Sequence, residues 1–380
     1  MPSHGRIQDI ERLRALAALG VVLGHVPWLQ AASERLLRFH LDPWTGVDLF
    51  FVISGFVVSR AFERDLGEAG GPSPLRAAVA AFYRKRTARI VPTAWLVVAL
   101  WVAGLQWFNR AGAWGTVTGG LWPATAASLA FVANYAEAGW GVALPIIGYW
   151  SLCIEEHFYA AYAAFRALVA SSAARLWLLV AVIVAVQAWG AVTGATRTSP
   201  GLSHVRMDQL AMGVVLGLLR ERWTGARRWD AALRVRGWRR AAARLGLVAL
   251  IALLASLAVT WLDVSRGDAP MFVWGRVLAT LVPGAIVWVA ASDADLLAVR
   301  TLRLGDALAG IGARSYALYL MHMPAFIIVT ECRARWFGAT MPVWMPIAEV
   351  LAFAVLLAGM VEANYRIVER PLIAWAAKPR

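Results

Sequence analysis

The chain has 380 residues, of which 60% are hydrophobic and 20 are tryptophan. A soluble domain is closer to half apolar, and apolar runs near bilayer length recur along this chain, so the composition excludes an ordinary soluble globular protein. It indicates an α-helical membrane protein that crosses the bilayer many times. The formal net charge of +14 is carried almost entirely by arginine. In a membrane protein such an excess is first a signal of topology, so we expect no nucleic-acid partner.

The two cysteines and the first apolar span give further limits. Cys153 and Cys332 lie in or beside apolar runs and do not have the pattern of a disulfide framework. The first span contains Arg14 and His25 and is not followed by a small-residue cleavage motif. We therefore expect it to be a membrane helix and not a cleaved signal peptide.

Ten segments have the length and composition of membrane crossings. They are 13–29, 45–62, 90–108, 149–168, 175–193, 207–220, 244–262, 272–291, 311–330 and 343–363. An eleventh candidate, 120–135, is short and contains Pro123.

Arginine-rich loops decide whether the eleventh segment crosses. The segments 60–89 and 220–244 are both strongly basic, which places both in the cytoplasm. They fall on one side only if 120–135 does not traverse the membrane. We therefore predict an all-α polytopic protein with about ten transmembrane helices and both termini cytoplasmic, in which 120–135 is re-entrant or interfacial. We also predict a flexible linker at 63–76 and an amphipathic surface segment at 221–243.

The first span carries a charge and a titratable ring on one stripe. Arg14 and His25 are eleven residues apart, so on a helix they share a face and lie ~16 Å apart along the axis. Ionisable residues at membrane depth usually face a bundle interior or a wet cavity and serve function. The alternative is a histidine satisfied by a backbone carbonyl of a neighbouring helix.

The predicted topology brings several such residues to the outer half of the membrane, namely His25, Asp48, Glu155 and His322. Ser151, Glu155 and Tyr159 share one helical face because they are spaced by four residues.

Each of these residues also has a structural explanation. Asp48 could cap the second helix, since acids suit helix N-termini. Glu156 and His157 could be interfacial, and His322 could be a packed core histidine. The basic cluster at 84–89 could be only a positive-inside anchor.

Together these residues allow one specific chemistry. A cation cluster at the cytoplasmic side suits the phosphates of an anionic cofactor. A histidine at the other end suits proton abstraction from a hydroxyl, with a carboxylate to hold its tautomer and orientation. An acyl-CoA has phosphates at one end and a reactive thioester at the other, so it would bridge the two.

An ordered set of motifs resembles the acyltransferase-3 family of integral membrane O-acyltransferases over nearly the whole chain. The set comprises Arg14 with His25, GVDLFFVISGF at 46–56, FYRKRTARIVP at 82–92, YWSLCIEEHFY at 149–159, VRMDQLAMG at 205–213, SYALYLMHMP at 315–324 and VERP at 368–371. The resemblance implies transfer of an acyl group, commonly acetyl, from cytoplasmic acyl-CoA to a hydroxyl of a glycan or related acceptor.

The resemblance also implies roles for individual residues. His25 would be the essential base and Arg14 its companion, and Glu155 matches the family's glutamate after Trp-Ser-Leu. Arg84, Arg86 and Arg89 lie where the CoA phosphates are expected. Cys153 stands where a small residue is expected, which raises the possibility of an acyl-cysteine.

We therefore predict a single membrane-embedded acyltransferase domain over 1–380, without an appended soluble domain, in a bacterial inner membrane. The catalytic residues would be His25 and Glu155, supported by the set Arg14, Asp48, Ser151, Tyr159 and His322. The co-substrate would be acyl-CoA, with no metal, and the acceptor a glycan, a lipid-linked sugar or a small molecule. A membrane transporter using the same polar cavity is the alternative function, and a non-catalytic scaffold would leave the buried polar residues unexplained.

Overall fold

The computed structural model describes residues 7–27, 30, 44–68, 74–195, 199–235, 237–264, 269–298, 304–337 and 344–378. Helices make up most of this part of the chain. They are α1 Gln8–His25, α2 Trp44–Glu68, α3 Pro74–Trp107, α4 Leu121–Leu129, α5 Ala133–Trp140, α6 Tyr149–Leu168, α7 Ser172–Thr193, α8 Ser203–Arg222, α9 Thr224–Arg234, α10 Trp238–Val264, α11 Ala269–Ala290, α12 Leu304–Ala313, α13 Ser315–Phe337, α14 Met345–Asn364 and α15 Arg370–Ala376. Within the same residues, β-pairing is limited to an isolated bridge between Thr118 and Ala143.

Four of the described helical segments are long and apolar enough to cross a membrane. They are Trp44–Glu68, Pro74–Trp107, Ser172–Thr193 and Met345–Ala376. The all-α class is thus confirmed, and the apolar helices fit a multi-pass membrane protein. The total of ten crossings and the cytoplasmic position of both termini stay predictions.

Several predicted boundaries were wrong in detail. Helix α2 continues to Glu68 and α3 begins at Pro74, so helix covers much of the segment 63–76 that was predicted to be a linker. Polar side chains within 60–68 extend the helix beyond its apolar part, which hydropathy alone does not reveal. The predicted span 311–330 is interrupted, because α12 ends at Ala313 and α13 starts at Ser315.

The segment 120–135 forms two short helices. Helix α4 has nine residues and α5 has eight, so neither exceeds ~14 Å in length, against about 30 Å of hydrocarbon core. Between them Phe131 adopts a positive φ of 58°, which turns the chain. Neither helix can cross the membrane by itself, as the prediction of a non-traversing segment requires.

The chain divides into two compact units. Unit 1 comprises Met1–Arg64 and Phe158–Ser315, and unit 2 comprises Asp65–His157 and Tyr316–Arg380.

In unit 1, helices α2 and α8 approach until their backbones touch. A β-carbon added at Gly55 would lie 2.0 Å from the carbonyl oxygen of Leu210, and one added at Gly213 would lie 2.2 Å from that of Val52. Small residues at a helix contact allow such an approach and replace side-chain packing with direct backbone contact. These glycines therefore fix the position of the polar residues on α2 and α8.

We expect Gly55→Val to prevent this contact and to abolish stable folding, because the valine Cβ cannot share space with a backbone carbonyl. Gly20→Val on α1 is the matched control, since a β-carbon there would have no neighbour within 4 Å. The measurement is the yield and thermal unfolding midpoint of the purified protein. Equal values for the two variants would contradict the close approach.

Four helix ends meet at one end of unit 1. Glu63 of α2 accepts hydrogen bonds from Arg166 of α6 at 2.5 Å and from Arg175 of α7 at 3.0 Å. Arg222 of α8 donates to Ser172 of α7 at 2.8 Å. The C-terminal ends of α2, α6 and α8 thus lie beside the start of α7. The predicted topology places the basic loops that follow α2 and α8 on one side of the membrane, so it requires the C-terminal ends of these two helices to lie on the same side.

The start of α1 is held by a distant loop. Ile7 provides no side-chain cap, and Oδ1 of Asp293 instead accepts the Gln8 N–H at 2.8 Å. Asp9 accepts the N–H groups of Leu296 and Leu297 and also binds Arg12. Burial raises the pKa of the Asp293 carboxyl, while the N–H bonds it accepts act in the opposite direction. This loop therefore sets the position of α1, and with it that of Arg14 and His25.

Unit 2 contains a buried polar chain that involves the VERP motif. Glu369 lies in a π-helical turn, Tyr365–Glu369, and accepts a hydrogen bond from Asn364 Nδ2 at 2.9 Å. Asn364 also bonds to Thr93 of α3 at 3.1 Å. All three side chains are buried, so the motif links α3 to the end of α14.

Candidate functional site

His25 is the last residue of α1 and is half-buried. Its Nδ1 lies 2.9 Å from the carbonyl oxygen of Val21. A carbonyl can only accept, so Nδ1 carries the proton of the neutral ring and Nε2 carries the lone pair. The alternative predicted for His25 was a bond to the carbonyl of a neighbouring helix, whereas the carbonyl seen here belongs to its own helix, one turn earlier.

Arg14 lies near the opposite end of α1. Its guanidinium is 3.8 Å from Glu11, one turn earlier. Because eleven residues separate Arg14 from His25 on one continuous helix, the two share a face and are ~16 Å apart along the axis.

Asp48 is not the cap of α2, which begins at Trp44. It lies in the second turn, fully buried, and its Oδ1 accepts from Nη2 of Arg206 at 2.6 Å. The Arg206 guanidinium also lies 5.2 Å from the ring centroid of Trp44 and 5.8 Å from that of Phe51. This buried ion pair joins the starts of α2 and α8.

The ion pair between Asp48 and Arg206 lies on the part of α2 that packs near the His25 end of α1. A β-carbon on Gly46 would be 2.8 Å from both the Ala17 carbonyl and Val21 Cγ2, so the start of α2 packs on the last two turns of α1. Tyr159, also in unit 1, is buried and shares a 2.7 Å hydrogen bond with Ser54 of α2.

In unit 2, Ser151 belongs to a three-membered group at the start of α6. Its Oγ lies 2.7 Å from the Tyr319 hydroxyl, and both hydroxyls lie within 3.0 Å of the Gly148 carbonyl. Gly148 has a φ of +83°, and a β-carbon there would lie 2.9 Å from the tyrosine oxygen. Glycine is therefore needed for this contact.

His322 repeats the arrangement of His25. Its Nδ1 is 2.6 Å from the Tyr319 carbonyl, which again leaves the lone pair on Nε2. The ring is only 2% exposed, as the packed-histidine alternative requires.

The adjacent carboxylates of α6 differ in their surroundings. Both are half-buried, and the Oε1 atom of Glu156 is buried without a hydrogen-bond partner among the described residues. The charges of Glu155 and Arg86 act on the Glu156 carboxyl. One carboxylate oxygen of Glu156 is thus buried, and the interfacial position of this residue stays a prediction.

The residues of the basic cluster of α3 differ in their contacts. Arg84 donates to the carbonyls of Ala376 and Lys378 at 3.1 and 3.3 Å, so it caps the end of α15. Lys85 binds Asp65. The Arg86 guanidinium lies 5.9 Å from the ring centroid of Phe82. Arg89 is half-buried and contacts no carboxylate or carbonyl acceptor among the described residues, which leaves its charge available to a ligand.

Neither cysteine forms a disulfide in the described part of the chain, as predicted. Cys153 has no exposed surface. A fully buried thiol is poorly placed to accept an acyl group from a large donor.

The predicted site residues therefore fall into two sets. Unit 1 holds Arg14, His25, Asp48 and Tyr159, and unit 2 holds Arg84, Arg86, Arg89, Ser151, Glu155 and His322. Sequence reasoning gave no role to Arg206, although a charged pair, Arg206 and Asp208, at the start of an apolar span was a usable signal.

Comparison with known proteins identifies the family. Residues 7–361 match the model of a protein family whose description is 'acyltransferase domain'. Acyltransferase MdmB of Streptomyces mycarofaciens is 25% identical over 100% of this chain and 95% of its own length. The peptidoglycan O-acetyltransferase OatA of Listeria monocytogenes is 23% identical over 97% of this chain. O-acetyltransferase OatA of Staphylococcus aureus is also 23% identical, over 98%.

The chain spans 56% and 58% of the length of these two O-acetyltransferases. No solved structure shows significant similarity to it. The family match covers every motif on which the resemblance depended except VERP, and MdmB, which matches over nearly its whole length, is an acyltransferase. The chain therefore belongs to the acyltransferase-3 family.

Proposed function

We propose that this protein is a membrane O-acyltransferase that moves an acyl group, in the simplest case acetyl, from cytoplasmic acyl-CoA to a hydroxyl of a glycan or related acceptor. Membership of the acyltransferase family supports the reaction class. The relatives named as peptidoglycan O-acetyltransferases support a glycan acceptor and the membrane location. The comparisons give no support to a transporter.

The observation that carries the mechanism is the bond between His25 Nδ1 and the Val21 carbonyl. It places the lone pair on Nε2 at the end of α1, where a base can take a proton from an acceptor hydroxyl. The hydroxyl oxygen then forms a bond to the thioester carbon, the carbon–sulfur bond breaks, and CoA leaves as the thiolate. The proton held by His25 neutralises that thiolate or returns to solvent.

Other residues have supporting roles in this proposal. Because Val21 already fixes the histidine tautomer, Glu155 is not needed for that task, and it remains a proposed catalytic residue. Asp48 and Arg206 join the start of α2, which packs on the last two turns of α1, to the start of α8. Arg14, Ser151, Tyr159 and His322 remain proposed supporting residues. Direct transfer is favoured over an acyl-cysteine because Cys153 is fully buried.

On the donor side, Arg86 and Arg89 are the arginines we assign to the CoA phosphates. Arg84 was predicted to share this role, but its guanidinium caps α15. Phosphate binding needs a cation whose charge is not already engaged, and Arg89 meets this condition best.

We expect Arg89→Gln to raise the KM for acetyl-CoA about 10-fold, because one charge-assisted hydrogen bond to phosphate is lost. Arg84→Gln is the matched control and should leave this KM within about twofold while lowering the thermal unfolding midpoint. The measurement is the initial rate of CoA thiol release as acetyl-CoA is varied. A larger KM effect for Arg84→Gln than for Arg89→Gln would overturn the assignment.

The function itself is tested in a strain that lacks the protein and in its complement. We expect the base-labile ester content of cell-surface glycans or extractable metabolites to fall on deletion and return on complementation. Purified protein should release thiol from acetyl-CoA only when the esterified acceptor class is added. Uptake or flipping of a solute without consumption of acyl-CoA would favour the transporter.

A further inference from the structure

A second buried polar cluster lies in unit 1 and contains none of the proposed catalytic residues. It is formed by Gln187 of α7, Asp208 of α8, and Arg276 and Thr280 of α11. The three residues from α8 and α11 are at most 3% exposed. Charged residues at this depth in a membrane protein are costly and commonly mark a ligand or ion site.

Asp208 is the centre of the cluster. Its Oδ2 accepts hydrogen bonds from Gln187 Nε2 at 2.5 Å and from Thr280 Oγ1 at 2.8 Å. Arg276 approaches the same carboxylate less closely, with Nη2 3.4 Å from each oxygen. The carboxylate is thus satisfied by neutral donors, and the guanidinium is held mainly by charge.

Several polar atoms in and beside this cluster are buried without a hydrogen-bond partner among the described residues, and we call them open. Nε and Nη1 of Arg276 have no hydrogen-bond partner among the described residues. At the same α8–α11 contact, Gln209 donates to the Ala279 carbonyl at 3.2 Å, while its Oε1 is buried without a partner. Buried polar atoms are almost always hydrogen-bonded in folded proteins, and leaving them open is costly. Two open donor nitrogens and one open acceptor oxygen match the needs of hydroxyl groups, which accept and donate.

Charge determines which ligand fits. The negative charge of Asp208 already balances Arg276, so an anionic ligand would add an uncompensated charge in an apolar environment. A neutral ligand rich in hydroxyl or ring oxygens adds none. Arg89 in unit 2 differs in this respect, because its charge has no carboxylate partner among the described residues.

The geometry points to Arg276, supported by Asp208 and Gln209, as the binding site for a neutral, hydroxyl-bearing acceptor such as an uncharged glycan segment. This assignment rests on the proposed acyl transfer, because it divides the substrates chemically. The anionic donor meets an open cation in unit 2, and the neutral acceptor meets a charge-balanced arginine in unit 1.

The test uses the full-length protein in lipid nanodiscs, without a sugar-based detergent. Chitotetraose and maltotetraose are titrated as neutral probes by calorimetry, and a heparin tetrasaccharide serves as the anionic comparison. We expect saturable binding of at least one neutral probe. Arg276→Lys keeps the charge balance but removes donors, and it should weaken that binding about 10-fold. Arg227→Lys, at an exposed arginine of α9, is the matched control.

Several outcomes would overturn the assignment. They are the absence of saturable binding by both neutral probes, equal binding by the two lysine variants, and Arg276-dependent binding of the heparin fragment alone. If neither neutral probe bound saturably, water alone would satisfy the open atoms. If Arg276→Lys does not fold, Gln209→Met is used instead. This variant removes the open acceptor and should weaken binding of the same neutral probe.

Acetyl-CoA binding, measured in the same samples, separates this inference from the proposed function. Sugar binding that depends on Arg276, without any binding or consumption of acetyl-CoA, would overturn the proposed function and leave the site in place. Normal acetyl-CoA binding with sugar binding that is indifferent to Arg276 would overturn the site alone.

Discussion

Replacing His25 with alanine should lower the rate of acyl transfer by about 10²–10⁴, the usual effect of removing a general base. The acceptor hydroxyl then has no positioned atom to take its proton as it attacks the thioester. The fold should persist, because the ring is only half-buried and its Nδ1 bonds to a carbonyl of its own helix. The measurement is acceptor-dependent thiol release from acetyl-CoA, together with the thermal unfolding midpoint.

His204→Ala, at an exposed histidine of α8, is the control and should retain near-normal transfer. His25→Gln adds a sharper comparison, since its amide can still bond to Val21 but cannot act as a base near neutral pH. A rate within a few-fold of the natural protein for His25→Ala or His25→Gln would remove the histidine from its proposed role.

Hydropathy and periodicity predicted the apolar centres of the helices but not their polar extensions. Helix α6 was bounded correctly at 149 and 168 because apolar or aromatic residues stand at both of its ends. Helix α2 runs beyond its predicted end because the polar residues Glu63 and Asp65 make ion pairs within the fold. No local pattern reveals that a charged turn will find its partners on distant helices.

The site was predicted incompletely for the same reason, because the sequence does not show which side chains pair with each other. The residue types at Asp48 and Arg84 were visible in the sequence, and each was given a role by its depth and motif. Yet Asp48 pairs with Arg206, 158 positions away, and Arg84 binds carbonyls near residue 376. Spacing along one helix predicts a shared face, whereas pairings between helices depend on tertiary packing. The tautomer of His25 depends on a bond four residues back, so it was within reach of local reasoning.

Asp48→Ala should be strongly destabilising, because it leaves the guanidinium of Arg206 buried without its carboxylate. Breaking a buried ion pair by removing one partner typically costs about 3–5 kcal/mol. Both side chains are at most 2% exposed and are joined at 2.6 Å. We expect a clear fall in the thermal unfolding midpoint and in the yield of folded protein. Asp306→Ala, at an exposed acid of α12, is the control and should behave like the natural protein.

Loss of activity in Asp48→Ala would not by itself distinguish a catalytic role from a structural one. The double variant Asp48→Leu with Arg206→Met separates them, because replacing a whole buried pair by apolar residues of similar volume is often neutral for stability. If the pair supports catalysis at the histidine end of α1, the double variant should recover most of the lost stability and still transfer acyl groups at least 10-fold more slowly. Recovery of both stability and transfer would show that the pair serves only to join α2 to α8. In that case His25 would work without a charged neighbour from α2.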